Sequence, residues 1–284
     1  MLLPTGNGAE PVTGSLRTVV LAAGPGGLLS YHGRMGRGPW WRVAWRRGWS
    51  RQPDAPRQAA GWPAALLPGP FRLPAAALLA ACVSVAVLLG VGFAGHRQPS
   101  WLDAAVDPHV KSALRPFPAL LSFLAGTGDL IPVNLLALAL VLACVATRRW
   151  SGAALAAVGE PTASTLTEYG LKPLVHRTID GALSLPSGHA TGMFALAATC
   201  AVLLLDPPGR RVDAAVRLLL VCLALLLATA VAIAMVARGA HYFTDTVAGA
   251  AVGTGMVLAW ALVLDRLVAW RAYRVSSMPV SPAQ

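Results

Sequence analysis

With 284 residues, 56% of them hydrophobic and 12% charged, the chain is too apolar for an ordinary soluble domain, in which about a quarter of the residues are charged. The net charge of +11 would suit nucleic-acid binding, but the arginines are concentrated in the N-terminal region and beside the ends of apolar segments, which is the topology signal of a membrane protein. Composition and charge distribution therefore exclude a soluble nucleic-acid-binding protein and predict an integral membrane protein.

The first 72 residues form a basic extension. They contain nine arginines against Glu10 and Asp54, and no continuous apolar stretch follows the first residue, so we do not interpret the extension as a signal peptide. We expect residues 1–72 to be disordered or to lie on the membrane surface, on the cytoplasmic side. The WWRVAWRRGW stretch from Trp40 to Trp49 suits anionic lipid, since tryptophan prefers the interface and arginine the phosphates; a solvated basic tail without a role is the alternative.

Six apolar segments follow within residues 73–265, which we assign to one membrane domain. They are 74–95, 117–147, 152–171, 190–205, 216–236 and 242–264. A membrane-spanning helix requires about 20 mostly apolar residues. The GTGDLIP sequence interrupts the second segment, and Glu160 and Glu168 weaken the third. The fold prediction is an all-α, polytopic membrane bundle of about six helices, with an external loop and a short amphipathic helix between the first two spans.

The arginines outside the apolar segments predict the orientation of the bundle. They are concentrated at residues 1–72, 148–149, 210–217 and 266–274. Positively charged loops are retained in the cytoplasm, so both termini, including a tail over residues 266–284, are expected on the cytoplasmic side of a cell membrane. This orientation places two polar junctions, residues 172–189 and 237–245, together on the outer face.

These two junctions contain an unusual set of polar side chains for a membrane protein. The set comprises Lys172, His176, Arg177, Asp180, Ser187, His189, Arg238, His241 and Asp245. Charged residues at helix ends are ordinarily interface anchors, and that explanation is sufficient for Lys172 or Arg238 alone. It does not explain why two histidines, an aspartate and a Ser-Gly turn occur at converging helix ends.

The second junction has the spacing of one helical face. In ARGAHYFTD, Arg238, His241 and Asp245 are separated by three and four residues, so their side chains can be neighbours. Asp245 can then accept a hydrogen bond from Nδ1 of His241 and leave Nε2 free to attack. This arrangement is typical of a nucleophile held by an orienting carboxylate.

The first junction has the features of an anion site at a helix N-terminus. In PSGHATG, Ser187 is a natural N-cap, and Gly188 allows the backbone to approach a ligand closely. His189 would then lie at the edge of a bound phosphate as a proton donor. Lys172 and Arg177 add positive charge that suits a strongly anionic ligand.

This combination resembles the type 2 phosphatidic acid phosphatase (PAP2) superfamily, which includes lipid phosphatases and vanadium haloperoxidases. The resemblance covers about residues 75–265, and its specific part is PSGH followed, after one intervening span, by HYFTD. It implies that His241 attacks phosphorus to form a phosphohistidine, that Asp245 orients His241, and that His189 protonates the leaving alcohol. It also implies that basic residues hold the phosphoryl oxygens.

Two positions depart from the pattern of that family. The first motif usually has an arginine seven residues after its lysine, where this chain has Ile179. The third motif usually has an arginine six residues before its histidine, where this chain has Met235. Arg177 and Arg238 are the nearest arginines, and we assign phosphate binding to these displaced residues together with Lys172, Ser187 and Gly188.

The resemblance predicts an integral membrane phosphatase that hydrolyses a lipid phosphate or pyrophosphate of the phosphatidate, phosphatidylglycerophosphate or polyprenyl pyrophosphate type. A vanadate-dependent haloperoxidase is disfavoured, because that branch is typically soluble. A non-catalytic lipid-phosphate-binding or transport protein of the same fold is the alternative from another class. The presence of His189, His241 and Asp245 favours the enzyme.

No cofactor is expected from the sequence. The four cysteines lie inside apolar stretches without CxxC spacing, and there is no HExxH arrangement or dense carboxylate group to bind a metal. The expected partners are the lipid phosphate substrate and membrane lipids, with no nucleic acid. The sequence does not determine an oligomeric state.

Overall fold

The computed structural model describes residues 65–205 and 213–276, and this part of the chain is mostly helical. In chain order the helices are α1 (Gly69–Gly92), α2 (Trp101–Leu114), α3 (Pro118–Thr127), α4 (Leu130–Ala146), α5 (Trp150–Thr165), a π-helical segment (Leu166–Leu171), α6 (Lys172–Val175), α7 (Gly188–Leu205), α8 (Ala214–Ala237) and α9 (Phe243–Ser276). A short antiparallel hairpin of β1 (Thr178–Ile179) and β2 (Ala182–Leu183) connects α6 to α7. Most of the basic N-terminal extension and the end of the tail lie outside the described residues, and α9 continues past residue 265, where the sequence placed the start of the tail.

Four helices, α1, α7, α8 and α9, are long and apolar enough to cross a membrane. The bent pair α3 and α4, whose axes differ by 52°, makes a fifth span if it is counted as one. The predicted number of six is not confirmed. The third predicted segment, 152–171, is absent from this set because α5 has 16 residues and is less apolar, and it buries residues on several faces, including Glu160.

The side chains exposed around the bundle are those expected of a membrane protein. Large apolar side chains are exposed along the spans, among them Leu88 on α1, Leu135 on α4, and Leu218 and Leu226 on α8. An apolar surface of this extent would be unstable in water, whereas in a bilayer it faces lipid chains. The protein is therefore membrane-embedded.

A close contact between α7 and α9 positions the two sequence motifs side by side. Gly249 of α9 lies so near α7 that a Cβ atom there would be 2.5 Å from the carbonyl oxygen of Ser187, and a Cβ at Gly253 would overlap the carbonyl of Thr191. Two small residues four apart allow helix backbones to approach in a membrane. As a result the Ser187 N–H donates to the carbonyl of Asp245 at 3.0 Å, which joins the starts of α7 and α9.

Polar contacts mark the two ends of the bundle. At one end Asp265 accepts hydrogen bonds from the Leu66 and Leu67 amides at 2.6 and 3.0 Å, and Arg149 donates to the carbonyl of Leu203 at 2.7 Å. The predicted polar junctions, 172–189 and 237–245, both lie at the opposite end. The chain after α1 lies there too, as the hydrogen bond of 2.8 Å from the Gly95 amide to the Val175 carbonyl indicates.

Candidate active site

The two histidines of the sequence motifs face each other at this end of the bundle. His189 lies in the first turn of α7, and His241 lies in the loop between α8 and α9. Their ring centroids are 6.5 Å apart, with an interplanar angle of 59°. The His241 residue is 8% exposed and the His189 side chain 26% exposed. Both rings are thus close enough to contact a single phosphoryl group that enters from solvent.

Asp245 lies beside His241, close enough for an ion pair but too far for a hydrogen bond. Its Oδ2 is 3.7 Å from Nδ1 of His241, which is longer than a hydrogen bond, and Nδ1 has no other hydrogen-bond partner within the described residues. The same Oδ2 accepts from the backbone amide of Tyr242 at 3.0 Å, and Oδ1 accepts from Arg177 at 2.7 Å. The i,i+4 neighbours expected from the sequence are therefore adjacent, without the expected hydrogen bond. Catalytic hydrogen bonds are often long before the substrate binds.

Arg177 occupies a different environment from the one expected. It is completely buried, and its guanidinium pairs with Asp245 and with Asp103 of α2, each at 2.7 Å. The guanidinium also lies 4.4 Å from the ring centre of Phe93 and 4.5 Å from that of Tyr242. The charge of Arg177 is thus paired with two carboxylates away from solvent, and we propose that Arg177 positions Asp245 rather than binding phosphate.

Helix α2 caps the start of α9, a role that sequence reasoning missed. Asp107 accepts from the Phe243 amide at 3.2 Å, and Asp103 accepts from the Thr244 amide at 2.9 Å and from its hydroxyl at 3.0 Å. Ser100 and Asp103 also form a capping box at the start of α2. Two aspartates four residues apart, in the segment predicted to contain a short amphipathic helix, were the available signal.

The two carboxyl groups on α2 differ in their electrostatics. Burial alone would raise the pKa of Asp103, but hydrogen bonds from the Thr244 amide, Arg177 and Ser100 outweigh burial and lower it. Burial raises the pKa of Asp107, and the hydrogen bond from Phe243 does not reverse that shift. Asp103 is consequently the ionised partner of Arg177, and Asp107 serves mainly as a hydrogen-bond acceptor.

Lys172 lies beside the first turn of α7, as the sequence predicted. Its Nζ is 2.7 and 2.8 Å from the two carboxylate oxygens of Glu168, one helical turn earlier. The Glu168 carboxylate is so close to Gly188 that a Cβ atom there would overlap it, and Nζ of Lys172 is 3.8 Å from that same point. Gly188 is therefore the residue that lets this ion pair reach the helix N-terminus.

Ser187 occupies the N-cap position predicted for it. Its hydroxyl accepts from the Ala190 amide at 3.5 Å, and its carbonyl accepts from the amide and the hydroxyl of Thr191 at 3.0 and 2.9 Å. Ser187 is completely buried, so its hydroxyl acts on the helix rather than on the surface of the site. Gly188 and His189, which follow Ser187, are half-buried.

Asp129 is a site residue that the sequence did not single out. It lies at the bend between α3 and α4, where the sequence indicated only an interruption, and its Oδ1 is 3.0 Å from Nε2 of His189. The Asp129 side chain is 62% exposed, so it can move when a ligand binds. Each histidine of the pair thus has a carboxylate beside one ring nitrogen.

The remaining basic groups lie around the rim. Arg238, at the C-terminus of α8, is exposed and donates to the hydroxyl of Ser122 on α3 at 3.2 Å. Lys111 of α2, which was not among the predicted site residues, has its Nζ 3.6 Å from the point where a Cβ of Gly239 would lie. The two lysines of the chain, Lys111 and Lys172, therefore both lie at this end of the bundle.

Comparisons with known proteins connect this geometry to a family. The family model of the PAP2 superfamily matches residues 154–269, which run from α5 into α9 and include the histidine pair, Asp245 and Lys172. Helices α1 to α4, with Asp103 and Asp129, precede the matched range. No curated protein and no solved structure matches the chain. Within the described residues, no group of three or more His, Cys, Asp or Glu side chains is placed to hold a metal ion.

Proposed function

The chain belongs to the PAP2 superfamily, whose members are generally phosphatases, and we propose that it hydrolyses a lipid phosphate or pyrophosphate through a phosphohistidine intermediate. Candidate substrates are phosphatidate, phosphatidylglycerophosphate and polyprenyl pyrophosphate. The observation that carries the proposal is the pair His189 and His241, 6.5 Å apart at the polar end of a membrane bundle, each with a carboxylate beside it.

In the first step His241 is the nucleophile. Its Nε2 attacks phosphorus, and the P–N bond forms as the bond from phosphorus to the leaving oxygen breaks. His189 gives its proton to that oxygen, so the alcohol leaves neutral. Asp245, 3.7 Å from Nδ1 of His241, stabilises the positive charge that develops on the imidazole.

In the second step water resolves the phosphohistidine. His189, now neutral, takes a proton from water as the water oxygen bonds to phosphorus and the P–N bond breaks. Inorganic phosphate then leaves, and both histidines return to their starting protonation states. Asp129, 3.0 Å from Nε2 of His189, holds the imidazole ring in place between turnovers.

Positive charge and backbone amides stabilise the phosphoryl oxygens. Lys172 is held by Glu168 beside Gly188, next to the first amides of α7, which favour an anion. Lys111 and Arg238 add positive charge at the rim. We assign to Lys172, Lys111 and Arg238 the role that the arginines of the first and third motifs have in the family.

A non-catalytic lipid-phosphate-binding or transport protein is the second candidate. It is favoured by one observation, the burial of Arg177 between two carboxylates, which leaves the phosphate site with fewer cations than the family pattern has. Such a protein would bind a lipid phosphate without releasing inorganic phosphate.

Release of inorganic phosphate from the three candidate lipids, by purified protein in detergent, distinguishes the two candidates. We expect release by the wild type, none by His241→Ala, and wild-type rates for His109→Ala, which changes an exposed histidine on α2. Activity should persist in EDTA and should be inhibited by vanadate, which mimics five-coordinate phosphorus. Binding of a lipid phosphate without any phosphate release would support the non-catalytic candidate.

The division of roles between the histidines predicts a dependence on the leaving group. General acid catalysis contributes on the order of 10²–10⁴-fold. His189→Ala, and to a smaller extent Asp129→Ala, should therefore slow hydrolysis of a lipid phosphate far more than that of nitrophenyl phosphate, whose leaving group needs little protonation. Equal losses on the two substrates would contradict the general-acid role.

A further inference from the structure

A cavity of about 300 Å³ lies between α4, α5 and α7, and His189 is one of the residues that line it. One of its walls carries Glu160, Ser164 and Glu168, which are spaced four residues apart on the same helical face. The other wall carries the apolar side chains of Leu130 and Val133. The cavity is therefore amphipathic, with acceptor oxygens on one side and hydrocarbon on the other.

Glu160 is the unusual member of this lining. It is 1% exposed, and its Oε1 accepts a hydrogen bond from the Ser164 hydroxyl at 2.6 Å. Its Oε2 is buried and has no hydrogen-bond partner in the part of the chain that the structure describes. Buried polar atoms are nearly always paired, because an unpaired one loses its hydration without compensation. An unsatisfied carboxyl oxygen on a cavity wall indicates a ligand that brings a donor.

The position of the cavity relative to the histidines indicates which part of a substrate enters it. In phosphoryl transfer the attacking and leaving atoms lie roughly in line on opposite sides of phosphorus. His241 attacks from one side, and His189, which lines the cavity, protonates the leaving oxygen on the other. The leaving group therefore lies towards the cavity.

Resting on the function proposed above, we propose that this cavity binds the leaving alcohol and that Glu160 accepts a hydrogen bond from a hydroxyl of that alcohol. The preferred substrate is then a phosphomonoester whose alcohol carries a free hydroxyl close to the ester oxygen. A polyol suits both walls, because its hydroxyls face the carboxyl groups and its C–H groups face Leu130 and Val133.

The three candidate lipids differ in this respect. Phosphatidylglycerophosphate leaves a glycerol headgroup with a free hydroxyl beside the scissile bond. Phosphatidate leaves a diacylglycerol without one. Polyprenyl pyrophosphate leaves a phosphate and has no alcohol hydroxyl beside the scissile bond. Glu160 thus acts as a specificity-determining residue that favours the first of these substrates.

The test compares kcat/KM for phosphatidylglycerophosphate with kcat/KM for its deoxy analogue, in which propane-1,3-diol replaces the headgroup glycerol. The wild type should prefer the hydroxyl-bearing substrate by on the order of 10- to 100-fold, as expected for a hydrogen bond to a buried carboxyl group. Glu160→Leu should bring the ratio close to one, and Glu160→Gln should give an intermediate ratio. Thr199→Val is the matched control, since the Thr199 hydroxyl is also buried, has no hydrogen-bond partner among the described residues, and does not line the cavity.

Because both rates come from one preparation, their ratio does not depend on the fraction of folded protein. If Glu160→Leu is inactive on both substrates, Glu160→Gln decides the outcome. A wild-type ratio near one, or a ratio unchanged in Glu160→Gln, would overturn the role of Glu160 while leaving the phosphatase intact. Failure of the proposed function would appear differently, as no phosphate release from either substrate or as full activity in His241→Ala.

Discussion

Arg177 shows how far the role of a single residue depends on partners distant in the chain. As a displaced motif arginine it was expected to contact phosphate, but its guanidinium links Asp103, 74 residues earlier, to Asp245, 68 residues later. This linkage ties α2 and the β1–β2 segment to the start of α9. We propose that Arg177 fixes the position of Asp245 beside His241 through these contacts.

Arg177→Met should unfold the site rather than weaken phosphate binding alone. Removing one partner of a buried ion pair leaves uncompensated charge, which costs about 3–5 kcal/mol of stability. We expect a large drop in the thermal unfolding temperature in detergent, whereas Arg238→Met, at an exposed arginine, should be nearly neutral. A stable Arg177→Met protein with a raised KM would restore the phosphate-binding assignment.

The two aspartates of α2 should respond differently to pH. The pKa of Asp103 is lowered in the folded state, so ionised Asp103 contributes stability above its unfolded pKa, and this contribution is lost as pH falls through the folded pKa. Asp103→Asn should therefore be destabilising at neutral pH, and the difference from the wild type should shrink in acid. Unfolding curves in detergent at a series of pH values measure this difference.

Asp107 provides the matched control because its pKa is raised. Its protonated form is favoured in the folded state, so its contribution is present below the unfolded pKa and is lost as pH rises through the folded pKa. Asp107→Asn keeps an oxygen that can accept from the Phe243 amide and should cost little stability at neutral pH. Equal destabilisation by the two substitutions would contradict the assignment of Asp103 as the ionised partner of Arg177.

At the scale of elements, the contact between α7 and α9 determines the geometry of the site. Gly253→Ala would place a Cβ against the carbonyl of Thr191 and push the helices apart. Overpacking of this kind costs about 1–3 kcal/mol, and it should also lower kcat because it changes the distance between the two histidines. Gly92→Ala, which meets no atom within 4 Å, is the control and should leave activity unchanged.

The elements also show what could be predicted from sequence. Helices α1, α8 and α9 and the N-cap at Ser187 follow from apolar length and capping chemistry, which are local properties. The third predicted span is not confirmed, because α5 alone has 16 residues and continues as a π-helical segment from Leu166 to Leu171. The contacts of Asp129 and Asp103 with the histidine site could not be predicted, since they join residues 60 and more positions apart that no local pattern relates.

At the scale of the whole molecule, the arginine distribution predicts an outward-facing site with both termini in the cytoplasm. Cysteines introduced at Asp180, in the turn between β1 and β2, and at Gly209, in the basic sequence that follows residue 205, should be labelled by an impermeant reagent from opposite sides of the membrane. The measurement is made in a background without the four native cysteines. Labelling of both positions from the cytoplasmic side would reverse the orientation of the site.

In the proposed phosphatase reaction His241 carries the phosphoryl group and His189 moves the proton. The most direct test of this proposal is rapid acid-free quenching with a radiolabelled substrate, followed by measurement of protein-bound phosphate that is stable in alkali and labile in acid. The wild type and His189→Ala, the latter with nitrophenyl phosphate, should form this phosphoenzyme, and His241→Ala should form none. Phosphoenzyme of this kind in His241→Ala, or its absence in a wild type that releases phosphate, would contradict the account.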